Sequence, residues 1–122
     1  MASKISTSLL LALAVSAAPL WAGSEARSRT TFHSIEVGDV SIFYREAGPK
    51  DAPAILLLHG FPSSSHMFRD LIPELAESYR IIAPDYPGFG QSSAPDASEY
   101  DYDFAALAQT MDGFVQALGS IA

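Results

Sequence analysis

The 122-residue chain has no cysteine. That excludes disulfides, thiolate nucleophiles and any zinc site built on cysteine ligands. It is also short of positive charge: seven Lys and Arg stand against fourteen Asp and Glu, for a formal charge of −7. Such a surface repels phosphate backbones and anionic lipid, which argues against nucleic acid or a membrane surface as a partner. The acids Asp96, Glu99, Asp101 and Asp103 bunch together just before a helical stretch. A helix start and a solvated loop account for them better than a cation site, since no histidine–carboxylate pattern accompanies them. No metal and no other cofactor is expected. No apolar run reaches the roughly 20 residues that span a bilayer.

The N-terminus carries a leader pattern instead. Lys4 supplies a positive start, Ile5 to Ala18 form a Leu/Ala/Val-rich run, and small residues follow at Ala22, Gly23, Ser24 and Ala26. This is the pattern of a secretory signal peptide, with cleavage after Ala22 or Ala26 and Pro19 disfavouring a cut after Ala18. Residues 1–22 are therefore expected to leave, and residues 23–122 to form one secreted or periplasmic domain free of the membrane. Lys4 is the one charged side chain in the leader, so its loss makes the formal charge −8. The 48% hydrophobic content suits a packed core.

Along that domain, Thr30 to Val37 and Val40 to Glu46 alternate as strands, with Gly38-Asp39 between them as the turn of a β-hairpin. Both turn residues tolerate positive φ. Gly48 to Pro53 reads as a loop. Ala54 to Leu58 is continuously apolar, as in a strand covered on both faces. From His66 to Tyr79 the row Met67, Leu71, Leu75 and Tyr79, flanked by Phe68, Ile72 and Ala76, predicts a helix with a wide apolar stripe. Pro73 should break or kink it near a second helix start. Arg80 to Pro84 is a short buried strand. In a final helix Phe104, Leu107, Ala108, Met111, Val115 and Leu118 share a face, with Asp103 as N-cap and Gly119 as its stop. Gly113 inside it costs roughly 1 kcal/mol relative to alanine and marks close packing. Hairpin, strand, helix, strand, helix is an α/β order with a mostly parallel sheet.

Two motifs bear on chemistry. The apolar strand runs into His59-Gly60-Phe61-Pro62, and the second strand runs into Asp85-Tyr86-Pro87-Gly88-Phe89-Gly90-Gln91-Ser92. Either alone would pass for an ordinary strand-ending turn. Together, at this distance and each after a buried strand, they resemble the front half of an α/β-hydrolase, closest to the epoxide hydrolase and haloalkane dehalogenase branch. The resemblance covers roughly Ile35 to Gly119. It implies the N-terminal half of that fold, ending before the turn that carries the nucleophile, with the acid and the catalytic histidine also beyond this chain.

Hydrolysis of an ester or epoxide builds negative charge on oxygen, which preorganised backbone N–H groups stabilise. In this family one donor comes from the loop after the third strand. By resemblance the donor is the N–H of Phe61, with His59, Gly60 and Pro62 supporting the loop and the Phe61–Pro62 bond expected cis. Gly60 is expected where a Cβ would obstruct. The substrate class implied is a small epoxide, halide or ester, attacked by a carboxylate or a serine. Phe61 stands where many dehalogenases carry a halide-binding Asn, which favours the epoxide hydrolase side over a dehalogenase; a serine esterase or lipase type is the other enzymatic alternative. A degenerate, non-catalytic product that keeps the scaffold is the alternative from a different class.

The remaining polar residues read as structural. No G-x-S-x-G occurs, and Ser93 replaces the third glycine of a dinucleotide-binding loop. His59 and His66 could be drawn into a triad with Ser63, Ser64, Ser65 or Asp85, but the family places its triad later in the chain. Helix capping and loop bonding explain those serines, and Asp85 and Ser92 suit local backbone bonding. The family's strand order would leave Ile55 to Leu58 as a bare apolar edge, prone to self-association.

Overall fold

The structure is a computed structural model and describes residues 29–119; the expected signal peptide at residues 1–22 lies outside the described residues. Strands β1 (Thr31–Val37) and β2 (Val40–Ala47) pair antiparallel with Val37 opposite Val40. Gly38 has φ +60° while Asp39 has no positive φ. The turn is thus of the II′ kind, which places its one left-handed position on glycine rather than on both turn residues.

β3 (Ala54–Leu56) and β4 (Arg80–Pro84) complete a four-stranded sheet in the order β1-β2-β4-β3. β3 runs parallel to β4, as a strand–helix–strand unit requires, whereas β2 runs antiparallel to β4. Over the described residues the sheet is therefore mixed, with two of its three pairings antiparallel, because the opening hairpin joins the same sheet. β3 is also shorter than its apolar run: Leu57 N–H still bonds to Ile82 O at 2.8 Å, and Leu58 is already exposed.

Alternation along β2 and β4 divides the core into two layers. Val40, Ile42, Tyr44 and Ile82 face α2 (Phe104–Ala117) and pack on Met111 and Phe114. Ala47, Ile81 and Ala83 face the other way onto Ile72 and Ala76. Ile72 lies in α1 (Leu71–Leu75), which follows a single 3₁₀ turn at Ser65–Phe68. Pro73 occupies the third position of α1, within the first turn, where a missing N–H costs no helical bond. The stretch from His66 to Tyr79 is accordingly two short pieces, the break expected at Pro73 falling near the start of the second.

Part of the expected wide stripe is buried: Phe68, Ile72, Leu75 and Ala76 pack toward the sheet, while Met67, Leu71 and Tyr79 are exposed. The rows within that stripe have the same four-residue spacing and similar apolarity, so periodicity alone could not rank them. At the other helix, the Asp103 carboxylate accepts from Ala106 N–H at 2.8 Å, as an N-cap should, and Gly119 takes φ +73° just past the end. Gly113 lies against β1, where a Cβ would crowd the Val37 side chain.

Candidate active site

The loop after β3 and the loop after β4 meet through His59. The His59 ring is buried, its Nδ1 lies 3.0 Å from Gly60 O, and its Nε2 lies 3.0 Å from Tyr86 N. A backbone amide can only donate, so Nε2 is the acceptor and the ring proton sits on Nδ1, donating to Gly60 O. Tyr86 and Phe89 pack edge-on against the imidazole with centroids at 4.8 and 5.5 Å. Both ring nitrogens are committed, so His59 orients the loop and has no lone pair left for base catalysis.

Phe61 follows two residues later. Its side chain is 87% exposed, its bond to Pro62 is cis, and its ring meets Phe89 edge-on at 6.0 Å. The Phe61 amide has no acceptor among the described residues. A cavity of about 430 Å³ opens beside it, lined by the loop, by Tyr86 and Phe89, and by Phe104, Leu107, Ala108 and Met111 of α2. No charged side chain lines it. Burial in this apolar setting raises the pKa of the Tyr86 hydroxyl above that of a free tyrosine. Gly60 differs from expectation: its φ is not positive, and a Cβ there would meet nothing within 4 Å. Its neighbours among the described residues would tolerate a side chain.

The turn from Asp85 to Ser93 is held by bonds to both earlier segments. The Asp85 carboxylate is 2% exposed and accepts from Ser65 N–H at 2.6 Å and Gln91 N–H at 2.9 Å. A Cβ at Gly90 would overlap that carboxylate, and Gly90 has φ +52°, so glycine is required there on two counts. Ser92 Oγ donates to Asp85 O and accepts from Phe43 N–H, and Ser93 Oγ accepts from Ser41 N–H. Two serine hydroxyls thereby extend the pairing of β2 beyond the end of β4.

None of the serines after the loop meets a histidine ring. Ser64 Oγ caps the 3₁₀ turn by accepting from His66 N–H, and Ser65 Oγ accepts from Arg45 Nε at 3.0 Å. His66 is exposed, and His33 lies on β1 beside Thr31, Tyr44 and Glu46, away from the loop. Sequence reasoning found His59, Phe61 and Asp85 but missed that Tyr86, Ser65 and Gln91 are their partners. Those bonds are backbone amides meeting side chains 27, 20 and 6 positions away, and residue type carries no signal for them. Among the described residues no cluster of histidine, cysteine or carboxylate could hold a metal ion, and no helix is long and apolar enough to cross a membrane.

A helix–sheet–helix layer with its loop amide free beside an apolar cavity is the front of a hydrolase fold. The family model described as alpha/beta hydrolase fold matches residues 53–120, more than half of the chain, and the chain belongs to that family. Over 73 residues it is 56% identical to an uncharacterized hydrolase of Saccharomyces cerevisiae, which covers 59% of this chain and 25% of that protein. Over 87 residues it is 37% identical to epoxide hydrolase A of Mycobacterium tuberculosis, covering 70% and 27% respectively. Among solved structures, a haloalkane dehalogenase loop variant from Bradyrhizobium elkanii aligns with a TM-score of 0.70 at 39% identity, over 74% of this chain and 29% of that one. The chain spans about a quarter of the length of the curated relatives it matches.

Proposed function

We propose that this chain supplies the oxyanion side of a hydrolase that opens small apolar epoxides, with the Phe61 N–H as donor. The supporting observation is that amide's lack of any acceptor among the described residues, on a loop fixed by His59 beside an uncharged cavity. Attack by a carboxylate on an epoxide carbon breaks the C–O bond and forms a covalent ester, the freed ring oxygen taking a proton. Water then attacks the ester carbonyl, and a preorganised N–H stabilises the oxyanion of that intermediate before the diol leaves and the carboxylate is restored. Phe61 takes the place where a side-chain halide ligand would sit, so the epoxide is preferred to the haloalkane as substrate. The test is turnover of styrene oxide, 1-bromobutane and 4-nitrophenyl acetate by the natural protein that carries this chain. Diol formation in excess of halide and nitrophenol release supports the epoxide assignment. Halide or nitrophenol release in its place overturns it.

A second function is favoured by a specific observation. Ser64, Ser65, Asp85 and His59 all commit their polar atoms to structural bonds, as they would in a scaffold that does no chemistry of its own. Folded protein that turns over none of the three substrates decides for it.

Two further properties belong to the same proposal. Residues 1–22 direct export and are removed, which N-terminal sequencing of the exported protein would check; an intact Met1 on exported material would refute it. The outer edge of β3, unpaired among the described residues, associates with a second copy. Sedimentation that returns a monomer at every concentration would refute that.

A further inference from the structure

We infer that Asp85 is a positioning residue for the Phe61 amide: its carboxylate fixes the downstream end of the loop whose upstream end is fixed through His59. The inference rests on the oxyanion role proposed above and assigns that role's accuracy to a residue outside the loop. The seven residues from His59 to Ser65 are tied at both ends to one dipeptide. Tyr86 N–H bonds to His59 Nε2 at 3.0 Å, and Ser65 N–H bonds to Asp85 Oδ1 at 2.6 Å. The dipeptide is itself immobilised, because Asp85 N–H bonds to Phe43 O of β2 at 2.9 Å. Phe61 lies between the two ties, so its N–H is aimed by both.

A carboxylate suits this task for a reason of valence. It is the shortest side chain with two acceptor oxygens and no donor. Oδ2 is held by Gln91 N–H at 2.9 Å, so the group cannot rotate about its own axis, and Oδ1 offers Ser65 a fixed point. The absence of a side chain at Gly90 leaves the room for it. Arg45 reaches the same spot through Ser65 Oγ and brings positive charge toward a carboxylate that is 2% exposed. The loop is thus placed by tertiary bonds rather than by its own sequence.

The test is nitrogen-15 NMR of the full chain, comparing Asp85→Asn, Ser65→Pro and Ser65→Ala. Asp85→Asn puts a donor group where an acceptor stood. Ser65→Pro deletes the N–H at a helix-start position that tolerates proline, and Ser65→Ala keeps the N–H while losing the bond to Arg45. Expected in the first two variants are a displaced Phe61 amide resonance and lower nitrogen-15 heteronuclear NOE values at residues 59–61, 63 and 64. The values at Ile82 and Phe114 should be unchanged, and Ser65→Ala should leave Phe61 in place. If Asp85→Asn does not fold, the contrast between Ser65→Pro and Ser65→Ala carries the same test. A Phe61 resonance that stays put when the Ser65 N–H is lost, or moves equally in Ser65→Ala, overturns the inference. No substrate enters these readouts, so their failure leaves the epoxide assignment standing, and failed turnover leaves the positioning role standing.

Discussion

The loop after β3 and the loop after β4 are made of similar residues, yet they spend their hydrogen bonds in opposite ways. From Asp85 to Ser93, carboxylate and hydroxyl oxygens close the turn and bind it to β2 and to Ser65. From His59 to Ser65, the bonds gather at the two ends and the Phe61 amide between them is left without an acceptor. A satisfied loop is a brace. A loop with one donor left over, beside an uncharged cavity, is a place where charge can develop on a bound oxygen. Under the proposed function, the chemistry falls to the less complete of the two loops and its support to the other.

Five changes test that contrast. Gly90→Ala should be the most damaging, since it combines overlap with the Asp85 carboxylate and an unfavourable φ, at a cost of about 3 kcal/mol in a urea titration. Ser92→Ala leaves Phe43 N–H without its acceptor and should cost about 2 kcal/mol by the same measurement. Next comes His59→Leu, which unties the loops from each other by removing the acceptor of Tyr86 N–H; about 1.5 kcal/mol is expected in thermal unfolding.

Alkaline pH should have a weaker effect. Burial raises the pKa of Tyr44 and Tyr86 above the ordinary tyrosine value, with Glu46 adding to the rise at Tyr44 and Arg80 opposing it. The unfolded chain then ionises first, so stability should be full below pH about 10 and decline as pH rises through that value. Urea midpoints across that range should show this, and Tyr86→Phe should flatten the decline. Gly60→Ala should change least, by less than about 0.5 kcal/mol, because no neighbour opposes the added methyl group. A cost at Gly60 as large as that at Gly90 would erase the difference between the loops.

Much of this arrangement is legible in the sequence because it is local. The Gly38-Asp39 turn, the Asp103 cap, the Gly119 stop and the interruption at Pro73 each depend on a few neighbouring residues, and each stands where residue type puts it. The His59-Gly60-Phe61-Pro62 loop was legible for the same reason. What was not legible is relational. Met67, Leu71 and Tyr79 look as apolar as Phe68, Ile72 and Ala76, and only the sheet decides which row it covers. The direction of β2 beside β4, the serine hydroxyls that lengthen β2, and the tie between His59 and Tyr86 all join segments far apart in the chain. The open space around Gly60 is likewise a property of its neighbours rather than of the residue.

The notch at Gly113 couples segments that are remote in sequence. Because α2 meets the hairpin where Val37 fills the room a methyl group would have taken, the last helix can seat only on a finished first turn. Fraying at Gly38-Asp39 would be felt some seventy positions later, and early and late stretches of the domain should melt together rather than peel off one after the other.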